Sequence, residues 1–450
     1  MKKILFASLC VASALTFTGC VSEEDDIFGS SAPVRLDEAA KTYTERLSSA
    51  TAGWAMEYYP TSQTAAPKGL GYLLLAKFEP NLSVTVGMKN QFCTPADQYM
   101  EDTSSWEIIT DNGPVLTFDT YNECIHVFSS PEDVPSTSTD ETGVGLEGDY
   151  EFVMIDVPEN GEFVMLKGKK RGTYTRLTRL DEGTDFETYI KDIEDFRNRV
   201  FSSKAPNVCM LTLGDSVMKV ANASTGICNI YPYDGDAISD ESYHTFLVTK
   251  RGGKYYLRFR DALNAPDGKE AQEFVYDEER DLFTGVENPE YILEGDQPKE
   301  FFTWVMEESG REWVLTRTSE MSDNVKEKYE ALRTALTAAR GTFNDLAFKY
   351  ENNGYICAIN ITANRQTKDY KYNINITPSE TGYTFTIADP VNEESQRMLT
   401  TFPAIQDLLN VFATDFAVSA TSSRFNMSTI KLKDANGTEV NLSLIHISEP

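Results

Sequence analysis

The chain runs to 450 residues, 41% of them hydrophobic and including 25 Phe and 22 Tyr, enough apolar material for two to three packed domains. Its 70 acidic residues against 41 basic ones leave a formal net charge of −29, which argues against nucleic acid and anionic lipid surfaces as partners. Beyond one N-terminal run, no apolar stretch approaches the roughly 20 residues of a membrane-spanning helix.

Residues 1–19 read as a secretory signal. Lys2 and Lys3 precede an apolar run over residues 4–17, and the small residues Thr18 and Gly19 stand before Cys20. A cysteine in that place predicts cleavage and lipidation, although Phe17 replaces the leucine usual in such lipoboxes. Acyl chains on the Cys20 thiol and on the new amino terminus would make a stable anchor. Cleavage removes Lys2 and Lys3 and so takes the net charge from −29 to −31. Residues 20–31 then form an acidic tether. Its run Glu23, Glu24, Asp25 and Asp26 resembles the export signal that sends lipoproteins of Bacteroidota to the outer face of the outer membrane. The alternative is a plain solvated leash facing the periplasm.

Three helices are predicted in a chain otherwise made of strands. The first starts at Pro33, carries Leu36, Ala40, Tyr43 and Leu47 on one face, and is closed by Gly53. The second opens on the capping box Thr184-Asp185-Phe186-Glu187 and repeats Tyr189, Ile190, Ile193, Phe196 and Val200 at helical spacing. The third runs from Ser322 through Val325, Tyr329, Leu332 and Leu336 to Gly341. After each helix the period becomes alternating. Strands are expected at 54–59, 71–78, 82–88, 106–110, 115–119, 124–129, 150–156, 162–168 and 173–177. A second set falls at 208–213, 217–221, 245–250, 254–259, 273–276 and 302–307, and a third at 343–350, 355–361, 370–376 and 383–387 with later strands.

The expected fold is therefore α+β and predominantly antiparallel β, in serial helix-plus-sheet modules at 32–180, 181–318 and 319–442. The first is a meander closing into a barrel or a sandwich. The recurring order leaves open both an internal triplication and ordinary domains in series. The end of the chain, from Leu444 to Pro450, resembles translated adaptor sequence, so 443–450 is expected to be a non-native tail and the third module to be truncated.

Several motifs imitate chemistry. Gly143-Val144-Gly145-Leu146-Glu147-Gly148 has the letters of a dinucleotide fingerprint but is followed by a strand, where the pyrophosphate needs a helix N-terminus. Gly214-Asp215-Ser216 resembles the nucleophile block of GDSL-type hydrolases, with His244 as the only base at hand, and reads better as strand–turn–strand. His126 and His244 are too few for a zinc site, and His126 is expected in a strand. The loop bearing Asp234, Asp236, Asp240 and Glu241 offers oxygen ligands to calcium without the spacing of an EF-hand. Of the cysteines left after processing, Cys93 with Cys124 and Cys209 with Cys228 are conceivable disulfides, with buried free thiols as the default. Tyr231 and Tyr233, Tyr255 and Tyr256, and Tyr58 and Tyr59 are candidate platforms for a sugar, since strand alternation turns one of each adjacent pair outward. Core packing is the competing use.

Several stretches together resemble an uncharacterised surface-lipoprotein family of Bacteroidota, domain of unknown function 4302. They are Asp26-Ile27-Phe28, Arg35-Leu36, Gly53-Trp54, Tyr58-Tyr59-Pro60, Leu116-Thr117-Phe118-Asp119-Thr120-Tyr121-Asn122, Gly148-Asp149-Tyr150-Glu151-Phe152 and Leu166-Lys167-Gly168-Lys169-Lys170. Gly53, Gly148 and Gly168 look like turn or cap positions. The resemblance implies a cell-surface lipoprotein encoded beside an outer-membrane importer and its binding lipoprotein, of the SusC and SusD kind, and it carries no activity. The expectation is a non-catalytic binding or accessory protein without cofactors, capturing glycan or peptide near a TonB-dependent importer. The alternatives are a structural or protein-interaction subunit and, third, a hydrolase.

Overall fold

Each run of eight strands closes on itself to put one set of apolar side chains inside. The computed structural model describes residues 30–60, 70–111, 113–130, 146–201, 208–221, 223–233 and 243–446. The expected signal at 1–19, Cys20 and the acidic run of the expected tether lie outside them. The first barrel is an antiparallel meander of β1 (Trp54–Tyr58), β2 (Tyr72–Phe78), β3 (Ser83–Met88), β4 (Met100–Thr110), β5 (Pro114–Phe118), β6 (Glu151–Asp156), β7 (Phe163–Gly168) and β8 (Tyr174–Arg179). Pairing of Trp54 with Arg179 and Glu57 with Arg176 closes β1 onto β8. Helix α1 (Ala32–Ser48) leads into this barrel, and α2 (Glu123–His126) lies between β5 and β6.

The second barrel follows α3 (Phe186–Val200). It comprises β9 (Val208–Leu213), β10 (Ser216–Ala221), β11 (Ile227–Pro232), β12 (Tyr243–Arg251), β13 (Lys254–Asn264), β14 (Glu270–Asp277), β15 (Leu282–Gly285) and β16 (Ile292–Gly295). The third follows α4 (Pro298–Ser309). It comprises β17 (Arg311–Thr316), β18 (Gly341–Glu351), β19 (Gly354–Ala363), β20 (Gln366–Pro378), β21 (Gly382–Pro390), β22 (Asp415–Ala420), β23 (Thr429–Lys433) and β24 (Glu439–His446). Helix α5 (Asp323–Ala338) sits between β17 and β18, and α6 (Glu393–Thr401) and α7 (Ala404–Val411) between β21 and β22. The fold is α+β and predominantly antiparallel β, in three eight-stranded barrels with next-neighbour pairing throughout.

Two expected strands are helices. Residues 124–129, with the apolar run Ile125, Val127 and Phe128, suit a strand by pattern alone. Asn122 instead caps a helical turn, its side chain accepting from the Cys124 N–H at 3.0 Å. Residues 302–307, rich in aromatic and branched side chains, lie in α4. Pro298 occupies its first turn, Gly310 ends it at φ +62°, and Phe301, Phe302, Val305 and Met306 bury one helical face. The boundary expected at Ser319 also moves. The strand β17 pairs with β18 and β24, and α4 packs in the third core, so the third module begins at α4 and the helix from Ser322 is an insertion inside it. The stretch expected to be a foreign tail supplies the closing pairs of β24, Leu444 with Trp313 and Ile445 with Glu312.

Each barrel is filled, the first by Trp54, Met56, Tyr58, Leu74, Phe78 and Trp106 among others. The second core reaches beyond its own strands. It takes in Ala55 and Leu75 from the outer face of the first barrel and Phe425 from the third. The junction of barrels one and two is polar as well as apolar. Glu57, 2% exposed, lies 3.5 Å from the Arg258 Nε across it, and Glu273 receives Arg251 bidentately at 3.0 Å and Arg176 at 3.2 Å. Burial pushes the Glu57 carboxyl up from 4.5 to about 7 against the pull of Arg258, Arg176 and Arg251.

Candidate binding cleft on the first barrel

Asn122 supports one side of a cleft lined by Phe118, Tyr121, His126, Gly148 and Tyr150 among the described residues. The Asn122 side chain is fully buried and donates to the Asp102 carbonyl at 3.0 Å and the Ser104 hydroxyl at 3.2 Å while capping α2. Its backbone N–H donates to His126 Nδ1 at 3.1 Å. A ring nitrogen that accepts from an amide carries no proton, so His126 holds its proton on Nε2. Burial lowers the affinity of this imidazole for a second proton, keeping it neutral near pH 7. Tyr150 stacks on the ring at 4.7 Å between centroids and Tyr121 lies tilted against it at 5.2 Å. The two tyrosines are 57% (Tyr121) and 42% (Tyr150) exposed, so aromatic surface faces solvent at a barrel end that is otherwise polar.

The opposite wall depends on two close approaches. Tyr58 donates to the Asp149 carbonyl at 3.0 Å, and Gly148 fits between the Tyr58 hydroxyl and Phe128, where a Cβ would collide. The Asp149 carboxylate, packed over Gly168, accepts the Lys170 and Arg171 amides at 3.1 and 2.9 Å and so ties the β7–β8 hairpin to the cleft. Arg171 pairs with Glu147 at 2.8 Å, and Lys169 pairs with Asp111 at 3.1 Å and Glu151 at 3.4 Å. Lys170 also lines the cleft, with no carboxylate partner among the described residues. The space enclosed is about 720 Å³, the size of a site for a small ligand. Exposed rings, hydroxyls and charges of both signs suit it to a ligand with an apolar face and several polar groups.

None of the platforms expected from sequence stands open in this way. Tyr58 and Tyr59 are both buried, because the second barrel covers the outer face of β1 that alternation alone would leave in solvent. Tyr255 stacks on Phe196 at 4.0 Å with an interplanar angle of 6°, and the Arg251 guanidinium covers Tyr256 at 3.4 Å. Tyr231 is half-buried on β11, and Tyr233 lies beside the Lys219 ammonium at 4.9 Å. The acidic residues Asp234, Asp236, Asp240 and Glu241 fall outside the described residues, as do Glu23, Glu24, Asp25 and Asp26. Ser216 opens β10 after a tight turn at Gly214. The register puts His244 level with the far end of that strand, about 20 Å along it, too far for a nucleophile and its base. The five cysteines Cys93, Cys124, Cys209, Cys228 and Cys357 are buried free thiols, and burial holds Cys228 up at about 12.

Sequence reasoning passed over Tyr121, Tyr150 and Glu147 as site residues, although a signal lay in view. The stretches 116–122, 148–152 and 166–170, singled out for the family resemblance, are distant in the chain. Phe118, Asp119 and Tyr121 come from the first, Gly148 to Glu151 from the second and Lys170 from the third, and all line this cleft.

Comparison with known proteins agrees on the family. A family model described as "Domain of unknown function (DUF4302)" matches residues 24–278, which spans the whole first barrel and most of the second. No curated protein matches. Among solved structures, the beta subunit from DNA polymerase of Streptococcus pyogenes aligns over 90% of this chain and 98% of its own, at 10% identity and a TM-score of 0.13. The DNA polymerase III subunit beta sliding clamp from Bartonella birtlesii aligns over 91% and 98%, at 8% identity and the same TM-score of 0.13. With more than half of its length matched, the chain belongs to the family of the domain of unknown function DUF4302.

Proposed function

We propose that the chain is a non-catalytic, glycan-binding lipoprotein that holds a saccharide in the first-barrel cleft. In this reading it is anchored through Cys20 on the outer face of the outer membrane and passes ligand to a neighbouring TonB-dependent importer. One observation carries the binding role: three separated stretches converge on a cleft of about 720 Å³ that keeps Tyr121 and Tyr150 exposed beside neutral His126. Sugar rings present C–H faces that pack on such rings and hydroxyls that match the polar wall. The separation of Ser216 from His244 supports a role without nucleophilic chemistry.

A glycan array probed with the purified mature chain tests this reading, with a peptide array beside it. The chain should bind glycans, and Tyr121→Ala with Tyr150→Ala should weaken binding at least about tenfold, since each stacked ring contributes roughly 1 kcal/mol. Cells expressing the chain should take up the same glycan at their surface, and cells expressing Cys20→Ser should not. Binding to peptides alone, or wild-type affinity in the double variant, would sink the proposal.

A further inference from the structure

The backbone of His126 is held on both sides, so a change of charge on this residue falls on its ring. Its N–H donates to the Asn122 carbonyl at 2.9 Å, and its own carbonyl accepts the Ser129 and Ser130 amides at 2.9 and 3.0 Å. Asn122 is pinned as well, through its side-chain bonds to the Asp102 carbonyl, the Ser104 hydroxyl and the Cys124 amide. Between these fixed points the Asn122 N–H meets Nδ1 at 3.1 Å, and that bond sets the angle of the ring. The ring in turn packs against Tyr150, with 29° between their planes, and against Tyr121, with 33°. Both tyrosines are exposed. An exposed ring gives up rotamer freedom when it meets a ligand, unless a neighbour already holds it in place.

We propose that His126 is the positioning residue of the cleft: its neutral ring holds Tyr121 and Tyr150 in place for a saccharide, and protonation of Nδ1 unlocks them and releases it. This rests on the binding role argued above. The two states differ at one atom. Neutral Nδ1 offers a lone pair to the Asn122 amide, whereas both nitrogens of an imidazolium are donors and neither edge of the ring can accept. The cation therefore sets two donors against each other across 3.1 Å. With both backbones held, the ring is what turns away, and the tyrosines lose the surface they pack on. Burial disfavours the cation, so the locked state prevails near pH 7 and protonation sets in below the ordinary histidine value of 6.5. Charged groups surround the ring on several sides. Asp119, Glu147, Asp149, Glu151, Lys170 and Arg171 line the same cleft, Glu123 shares its helix, and Asp102 accepts the Glu123 amide at 2.8 Å. A variant that removes only the imidazole keeps all of them, and so separates their titration from that of the ring.

The test is calorimetry of the mature chain with gluco-, manno-, galacto- and xylo-oligosaccharides across a series of pH values. Affinity for the tightest-binding of them should fall about three- to tenfold between pH 7.5 and pH 5, the range for one lost hydrogen bond. His126→Phe keeps a ring beside the tyrosines but has neither the acceptor nor the titration. It should bind with the weakened affinity throughout, and its pH curve should be flat over the same window. A histidine with a purely structural role would instead leave the curve of the variant parallel to that of wild type. If the variant folds poorly, proton NMR of the wild-type His126 ring decides, because binding and protonation are linked. A saturating oligosaccharide should then move the titration of this ring to lower pH by the same factor as the affinity lost. A wild-type affinity independent of pH, parallel curves, or a titration that the sugar leaves in place would overturn the role of His126 and leave the binding role standing. Binding to none of these sugars at any pH would overturn both this inference and the binding role beneath it.

Discussion

Gly148 shows how a glycine can be read correctly as special and for the wrong reason. In sequence it looks like a turn or cap position, and Gly53, at φ +89°, is one. Gly148 and Gly168 have no left-handed backbone. They are small because the Tyr58 hydroxyl, Phe128 and the Asp149 carboxylate approach where a side chain would stand. Tyr58 is wholly buried and cannot step aside. Gly148→Ala should therefore break the hydrogen bond from Tyr58 to Asp149 and destabilise the first barrel by about 3 kcal/mol, from overpacking together with a lost buried hydrogen bond. Urea denaturation measures this, and a loss under about 0.5 kcal/mol would mean that the clamp does not hold the cleft wall. No pattern in the chain announces such contacts, because the colliding atoms come from residues about 20 to 90 positions away.

Among the elements, the leading helices of the first and third barrels share a device. The first strand carries a buried tryptophan whose indole N–H donates to a carbonyl of the preceding helix. Trp54 donates to Leu47 at 2.9 Å and Trp313 to Phe302 at 3.0 Å. The acceptors differ in what else they have. Leu47 lies among the last four residues of α1, whose carbonyls lack helical partners, whereas Phe302 lies early enough in α4 for its carbonyl to bond within the helix. Trp54→Phe should accordingly cost more than Trp313→Phe, by about 1 kcal/mol, even though both remove the same atoms. Equal losses in thermal or urea unfolding would show that cavity formation alone sets the cost. Helix α1 was legible from Pro33, its periodic face and Gly53. Helix α4 was not, because Phe301, Phe302, Trp304 and Val305 suit a strand as well as a helix, and only packing on the third core decides.

Across the whole molecule, the first two barrels meet through a buried set of charges that no single module contains. Glu57 comes from β1 and Arg176 from β8, opposite Arg251, Arg258 and Glu273 on β12 to β14. The folded-state value of Glu57, about 7, lies above the ordinary 4.5, so the folded chain keeps a proton that the unfolded chain releases. The contribution of this group is thus fullest below pH 4.5, and it is lost as the pH rises to about 7. The difference amounts to about 3 kcal/mol. Glu57→Gln should flatten the pH dependence by that order, losing less stability than wild type between pH 5 and pH 8 in paired urea titrations. Parallel curves for the two proteins would contradict this account of the junction.

The sequence by itself determined the class of the fold, three of the helices and most of the strands, since period, caps and turn residues act within a few positions of one another. It also contained the stretches singled out for the family resemblance, and with them most of the cleft. Only the tertiary structure decided that each meander closes into a barrel, that the third begins at α4, and that Tyr58 and Tyr59 are buried while Tyr121 and Tyr150 stay in solvent. The physical reason is common to all of these. Whether an outward-facing side chain meets water or another barrel depends on what packs against that face, and those partners lie tens of residues away or more.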